Sequence, residues 1–117
     1  MAIKKIQAYE KMQYNENRTD LKSSIPLSTP YVIYVEPSSY CNLQCTFCPH
    51  YITPETIHKQ NMSMEVFEKM IFDLKTFPEK IKKLRFCGLG DSLFNKNFLK
   101  MAKIASKANI CETRELI

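Results

Sequence analysis

The chain has 117 residues, 44% hydrophobic and 25% charged, which fits one soluble domain with a modest core and excludes a disordered polymer. No stretch approaches the roughly 18 uninterrupted apolar residues of a membrane span. The formal charge is +5, but the lysines are dispersed among acids without a block of like charges, so nucleic acid is not an expected partner.

The amino terminus, Met1-Ala-Ile-Lys-Lys-Ile, has lysines with no apolar run behind them and is not read as a secretory signal, so a cytoplasmic protein is expected. Residues 2–17 carry a weak helical pattern, with Ile3, Ile6 and Tyr9 on one face. Residues 18–30, with Asp20, Ser23-Ser24, Pro26 and Pro30, read as a linker. Residues 1–30 are therefore taken as arm and linker, and 31–117 as the core.

Tyr31-Val-Ile-Tyr-Val35 is β-branched and aromatic, bounded by Pro30 and Pro37, and reads as a buried strand. A loop rich in cysteine follows. Ser63 then suits a helix N-cap, with Glu65 and Glu68 where the helix dipole favours acids. Phe67, Met70, Ile71 and Leu74 recur at helical spacing, and Pro78 closes that segment. A second strand is expected over 83–87, a turn at Gly88-Leu-Gly90, and a second helix over 95–108 with Phe98, Ala102 and Ala105 inward. A third strand is expected from about Ile110 toward Ile117. This strand–helix alternation predicts an α/β fold with about three parallel strands and two crossover helices. In such sheets ligands sit beyond the carboxyl ends of the strands, where both loops 37–50 and 88–95 fall.

Lys80, Lys82, Lys83 and Arg85 form the densest basic patch, beside Glu79. It reads either as solvated surface near a strand entry or as a phosphate-binding feature. Five cysteines are present, and three fall within eight residues: Cys41-Asn-Leu-Gln-Cys45-Thr-Phe-Cys48-Pro. In a cytosolic chain such clustering points to metal rather than disulfides. Thiolates are soft ligands for iron–sulfur clusters and zinc. Three of them leave one iron of a cubane cluster open, whereas a complete ferredoxin site needs a fourth cysteine. A zinc site would recruit His50, Cys87 or Cys111 instead. Cys87 and Cys111 are otherwise expected as small buried apolar residues, His58 as surface, and Tyr40 and Tyr51 as packing beside the loop.

The chain holds two glycines, Gly88 and Gly90, where average usage of about 7% would give roughly eight. Both fall in one turn after a strand. Glycine allows positive φ and close approach of backbone to a ligand, so the turn is a candidate site.

The C-x3-C-x2-C spacing, with Phe47 before the last cysteine and with Asn42 and Pro49 in place, resembles the signature of the radical S-adenosylmethionine superfamily. Phe86-Cys-Gly-Leu-Gly-Asp-Ser-Leu93 resembles that family's Gly-Gly-Glu-Pro motif, with aspartate and serine in place of glutamate and proline. The resemblance covers residues 31–117 and implies the N-terminal half of a partial (β/α)6 radical S-adenosylmethionine barrel. It implies that Cys41, Cys45 and Cys48 hold a 4Fe-4S cluster whose open iron takes S-adenosylmethionine, and that reductive cleavage yields a 5′-deoxyadenosyl radical. It further implies that Phe47 lies against the adenine and that Gly88, Gly90 and Asp91 bind the cofactor. The implied partners are an electron donor such as flavodoxin or ferredoxin and a second polypeptide completing the barrel. The chain is thus expected to be a fragment of such an enzyme; the competing expectations are a non-catalytic iron–sulfur remnant that binds a cluster or transfers electrons without turnover, and a zinc-binding interaction domain. The residues do not name a substrate, and half a barrel does not by itself define an active enzyme.

Overall fold

A computed structural model describes residues 20–117; the helix expected over 2–17 lies outside the described residues. The core is a mixed α/β fold built on one open sheet of three strands, β1 (Val32–Val35), β2 (Ile81–Phe86) and β3 (Cys111–Leu116). The strand order is β1-β2-β3 and both pairings are parallel. Four α-helices occur among the described residues: α1 (Leu21–Ser24), α2 (Pro49–Ile52), α3 (Met64–Leu74) and α4 (Phe98–Ala108). The last two are the crossovers.

Each main helix has a local cause. Ser63 caps α3, its hydroxyl accepting from the Val66 amide at 3.2 Å, which satisfies one of the first-turn donors that have no partner within the helix. Helix α4 starts at Phe98 rather than 95, because Ser92–Phe94 forms a 3-10 turn and Asn95 is buried. It ends at Asn109 with φ 52°, a left-handed position that asparagine tolerates. Helix α1 falls within the stretch expected as linker, started by Asp20, which accepts from the Lys22 amide.

Both crossover helices pack on one face of the sheet and touch each other. Val35, Leu84 and Phe86 point into this layer against Phe67 and Ile71 of α3 and Phe98, Met101 and Ala105 of α4. The Phe86 and Phe98 rings meet edge to face at 5.3 Å. Ile81, Ile110 and Cys111 close the amino end of the core. That closure explains why β2 begins at Ile81, two residues before the expected start: the Ile81 amide donates to the Ile110 carbonyl at 3.1 Å.

Among the described residues, no helix lies over the other face of the sheet. Because side chains alternate along a strand, the register puts Tyr34, Arg85 and Glu115 in one row across this face, and Val32, Lys83 and Thr113 in the next. So β1 is not a buried strand as expected: Val32 is 40% and Tyr34 62% exposed, and of its four residues only Val35 is buried. An apolar run reports affinity for a sheet, not whether both faces of that sheet are covered.

Candidate functional site

The loop after β1 is clamped at its base. Ser38 forms an antiparallel bridge with Asn61, the Ser39 amide donates to the Gln60 carbonyl at 2.9 Å, and the Met62 amide donates to the Pro37 carbonyl at 2.9 Å. The Ser39 hydroxyl donates to the His58 carbonyl at 2.8 Å and accepts from the Gln60 amide at 2.7 Å. Asn95, reaching in from the segment before α4, donates its Nδ2 protons to the carbonyls of Pro37 (2.8 Å) and Met62 (2.9 Å). It is 3% exposed and staples both ends of the loop.

The clamped loop carries the cysteines. Cys41, Cys45 and Cys48 are half-buried and free of disulfides. The Cys48 amide donates to the Cys45 carbonyl at 2.9 Å, and Cys48 begins α2. Among the described residues no three His, Cys, Asp or Glu side chains converge as a metal centre. The donor chemistry nevertheless suits a soft metal: three unpaired thiols share eight residues, all partly accessible. Cys111 is buried as expected, whereas Cys87 is only half-buried. His58 is exposed. His50 sits in α2 with its Nε2 buried and unpartnered. Phe47 is 83% exposed.

The glycine turn meets this loop directly. Neither glycine has positive φ, so space, not dihedral freedom, accounts for both. A Cβ on Gly90 would lie 2.5 Å from the Ser39 carbonyl carbon and 2.6 Å from its Cα. A Cβ on Gly88 would lie 2.5 Å from Cδ and 2.6 Å from Cγ of Glu36. Glu36 occupies that space because its Oε1 accepts from the amides of Leu89 and, at 3.0 Å, of Gly90. The Asp91 amide donates to the Tyr40 carbonyl at 2.8 Å, one residue before Cys41. Asp91 uses Oδ1 to accept from the Leu93 amide at 2.9 Å, capping the 3-10 turn. Ser92 is buried with its hydroxyl unpartnered.

The structure therefore brings Gly88, Gly90 and Asp91 against the stem of the loop bearing Cys41, Cys45 and Cys48, at the carboxyl ends of β1 and β2. Sequence reasoning missed Glu36 and Asn95. An acid directly after the β1 run, opposite a turn with two glycines, was the available sign for Glu36; nothing in the pattern marked Asn95 as inward. Beside Glu36 lies a polar cleft of about 370 Å³, lined by Ser39, His58, Gln60, Asn61 and Ser63 among others.

No family model matches the chain, and no curated protein matches it. Among the described residues no helix is long and apolar enough to cross a membrane.

Proposed function

We propose that this chain is the cluster- and cofactor-binding part of a radical S-adenosylmethionine core, the N-terminal half of a partial (β/α)6 barrel. The observation that carries the reading is the 2.8 Å bond from the Asp91 amide to the Tyr40 carbonyl. It joins the glycine turn to the cysteine loop, two segments that resemble the family's motifs. The consecutive strand order, with both crossovers on one face, also favours a barrel over a doubly wound sheet, in which the order reverses and helices cover both faces.

In this reading Cys41, Cys45 and Cys48 would hold a 4Fe-4S cluster and leave one iron for the amino and carboxylate groups of S-adenosylmethionine. When bound, the cluster supplies the single electron, drawn from a donor such as flavodoxin or ferredoxin, that cleaves the sulfonium to give the 5′-deoxyadenosyl radical. Glu36 sets the shape of the turn by holding its amides. Gly88 and Gly90 let the cofactor-binding turn close against Glu36 and Ser39, Asp91 ties the turn to the loop, and exposed Phe47 offers its ring to the adenine.

One feature favours a cluster-binding module without turnover. Glu36 Oε1 and Asp91 Oδ1 are both already engaged by backbone amides. Anaerobic reconstitution with iron and sulfide, followed by electron paramagnetic resonance with and without S-adenosylmethionine, separates the readings. The proposal expects about four irons per chain, a spectrum that changes with the cofactor, and loss of iron in Cys45→Ala. Stoichiometric zinc without iron would overturn it, and a spectrum indifferent to the cofactor would leave only the module.

A further inference from the structure

The face of the sheet that no described helix covers carries an ion ladder that the proposed cluster site does not use. Glu115 accepts from Lys83 Nζ at 2.7 Å and from Arg85 Nε at 2.8 Å. Arg85 Nη1 donates to the Tyr34 hydroxyl at 3.1 Å, and its guanidinium carbon lies 5.6 Å from the centre of the Tyr34 ring. The basic patch seen in the sequence is thus divided. Lys80 pairs with Asn109 and Lys82 with Glu112, while Lys83 and Arg85 alone face the open side.

Three properties separate this ladder from ordinary solvated charge. Its side chains are 33%, 29% and 34% exposed for Lys83, Arg85 and Glu115, against 60% and 52% in the pair Lys82–Glu112. Two cations share one carboxylate, so among the described residues one positive charge is unbalanced. The guanidinium is fixed from two sides, yet its Nη2 has no partner among the described residues. An apolar layer over this face would strip water from three ionised groups, which costs several kcal/mol per ion. The face is therefore suited to a polar ligand, not to a second hydrophobic layer. Val32 and Thr113, short side chains on either side of Lys83 in the register, leave room for one.

The geometry points to an oxyanion subsite here: Arg85 and Lys83 bind a carboxylate or phosphate group of the substrate on the open face of the sheet. Arg85 precedes Gly88 by three residues, which at about 3.3 Å per residue places the subsite roughly 10 Å from the glycine turn, a span that a small anionic substrate bridges. Its fork presents parallel donors to either kind of oxyanion. Glu115 and Tyr34 hold that fork in place, and Glu115 also competes with the ligand for it. The assignment of the ligand as substrate rests on the proposed function; the anion binding does not.

The test uses the full chain, reduced and without iron, so failure of anion binding and failure of cluster assembly are separate results. Sodium phosphate and sodium acetate are titrated at constant ionic strength made up with sodium chloride, following amide resonances and the Arg85 Nε–H by NMR. Saturable shifts centred on residues 83–85 and 113–115 are expected, and the tighter of the two anions identifies the head group. Arg85→Gln should weaken binding about tenfold, Arg85→Lys less. Glu115→Gln should tighten it, because a competing carboxylate is gone, and Lys82→Gln should leave it unchanged. Shifts that fail to saturate, equal affinity in Arg85→Gln, or weaker binding in a folded Glu115→Gln would each overturn the subsite.

Discussion

Gly90→Ala is the most direct perturbation of the contact between turn and loop. The added methyl would lie 2.5–2.6 Å from Ser39 backbone atoms, where ordinary van der Waals contact needs roughly 3.5–4.0 Å. Backbone cannot swing aside as a side-chain end can, so the turn must retreat by about 1 Å. That displacement strains two bonds, Asp91 amide to Tyr40 carbonyl at 2.8 Å and Gly90 amide to Glu36 at 3.0 Å. Overpacking costs about 1–3 kcal/mol and each lost bond about 1 kcal/mol. The expected destabilisation is about 2–4 kcal/mol, a large part of the roughly 5–15 kcal/mol typical of a small domain. With a urea dependence of about 1.5 kcal/mol per molar, the midpoint should fall by roughly 2 M. Gly88→Ala makes the internal control. Its methyl meets only the carboxyl end of Glu36, which can rotate away, so the loss should be nearer 1–2 kcal/mol, about that of the two amide bonds to one carboxylate. Urea unfolding of both variants, with iron bound per chain after reconstitution as the second readout, checks the order. Equal midpoints for Gly90→Ala and the parent chain would refute the claim that the turn and loop are packed backbone to backbone.

Asn95→Ala takes the side-chain donor from the Met62 carbonyl, leaves the Pro37 carbonyl with the Met62 amide alone, and removes the acceptor of the Asn97 amide; it should cost about 2–4 kcal/mol in urea unfolding, and a loss below about 1 kcal/mol would show that the staple is dispensable. Asp91→Ala removes the cap on Leu93 and should cost about 1 kcal/mol, while Asp91→Asn retains an acceptor and should cost little, so similar losses in both would deny the capping role. The Glu115 carboxyl is held below its ordinary value of 4.5, first by the hydrogen bond from Lys83 and then by Arg85. A carboxyl depressed in the fold stabilises above its unfolded value, and that contribution is lost as pH falls through the folded one. Urea midpoints measured below pH 4.5 should therefore drop more steeply in the parent chain than in Glu115→Gln, and parallel curves would refute the ladder's role.

Much of the architecture was legible in the pattern of residues. Ser63 announced α3, the spacing of Phe67 and Ile71 gave its inner face, and strand–helix alternation gave the parallel sheet with both loops at one end. What escaped had a physical reason in each case. Met101 is fully buried on α4, yet a methionine among lysines does not declare its direction. Lys83 and Arg85 read only as part of a basic patch near a strand entry, because their common partner Glu115 lies 30 residues on from Arg85 and only register joins them. Gly88 and Gly90 are required at their turn for a different reason than conformational freedom. Their lack of side chains makes space for Glu36 on one side and for Ser38 and Ser39 on the other, a three-body packing that no local pattern encodes.

The hydrogen bonds of the cysteine loop bear on why its three thiols do not converge. Among the described residues, every backbone hydrogen bond of 41–57 outside helices and strands stays inside the segment: Cys48 to Cys45, Tyr51 and Ile52 to Cys48, Thr53 to Pro49, Thr56 to Thr53, Ile57 to Pro54. The bonds that reach the body of the fold lie just outside it, at Pro37–Tyr40 on one side and His58–Met62 on the other. The fold thus fixes where the loop leaves and returns, through Asn95, Ser39 and the contact with Gly90, and leaves the spacing of its sulfurs to local geometry. Metal binding of this kind couples to ordering of the ligands, because a site need not be preformed for its donors to be right. Under the proposed function the position of a cluster would be set by the clamp and by the glycine turn bonded to it, whereas the closure of three thiolates around iron would be left to the iron itself.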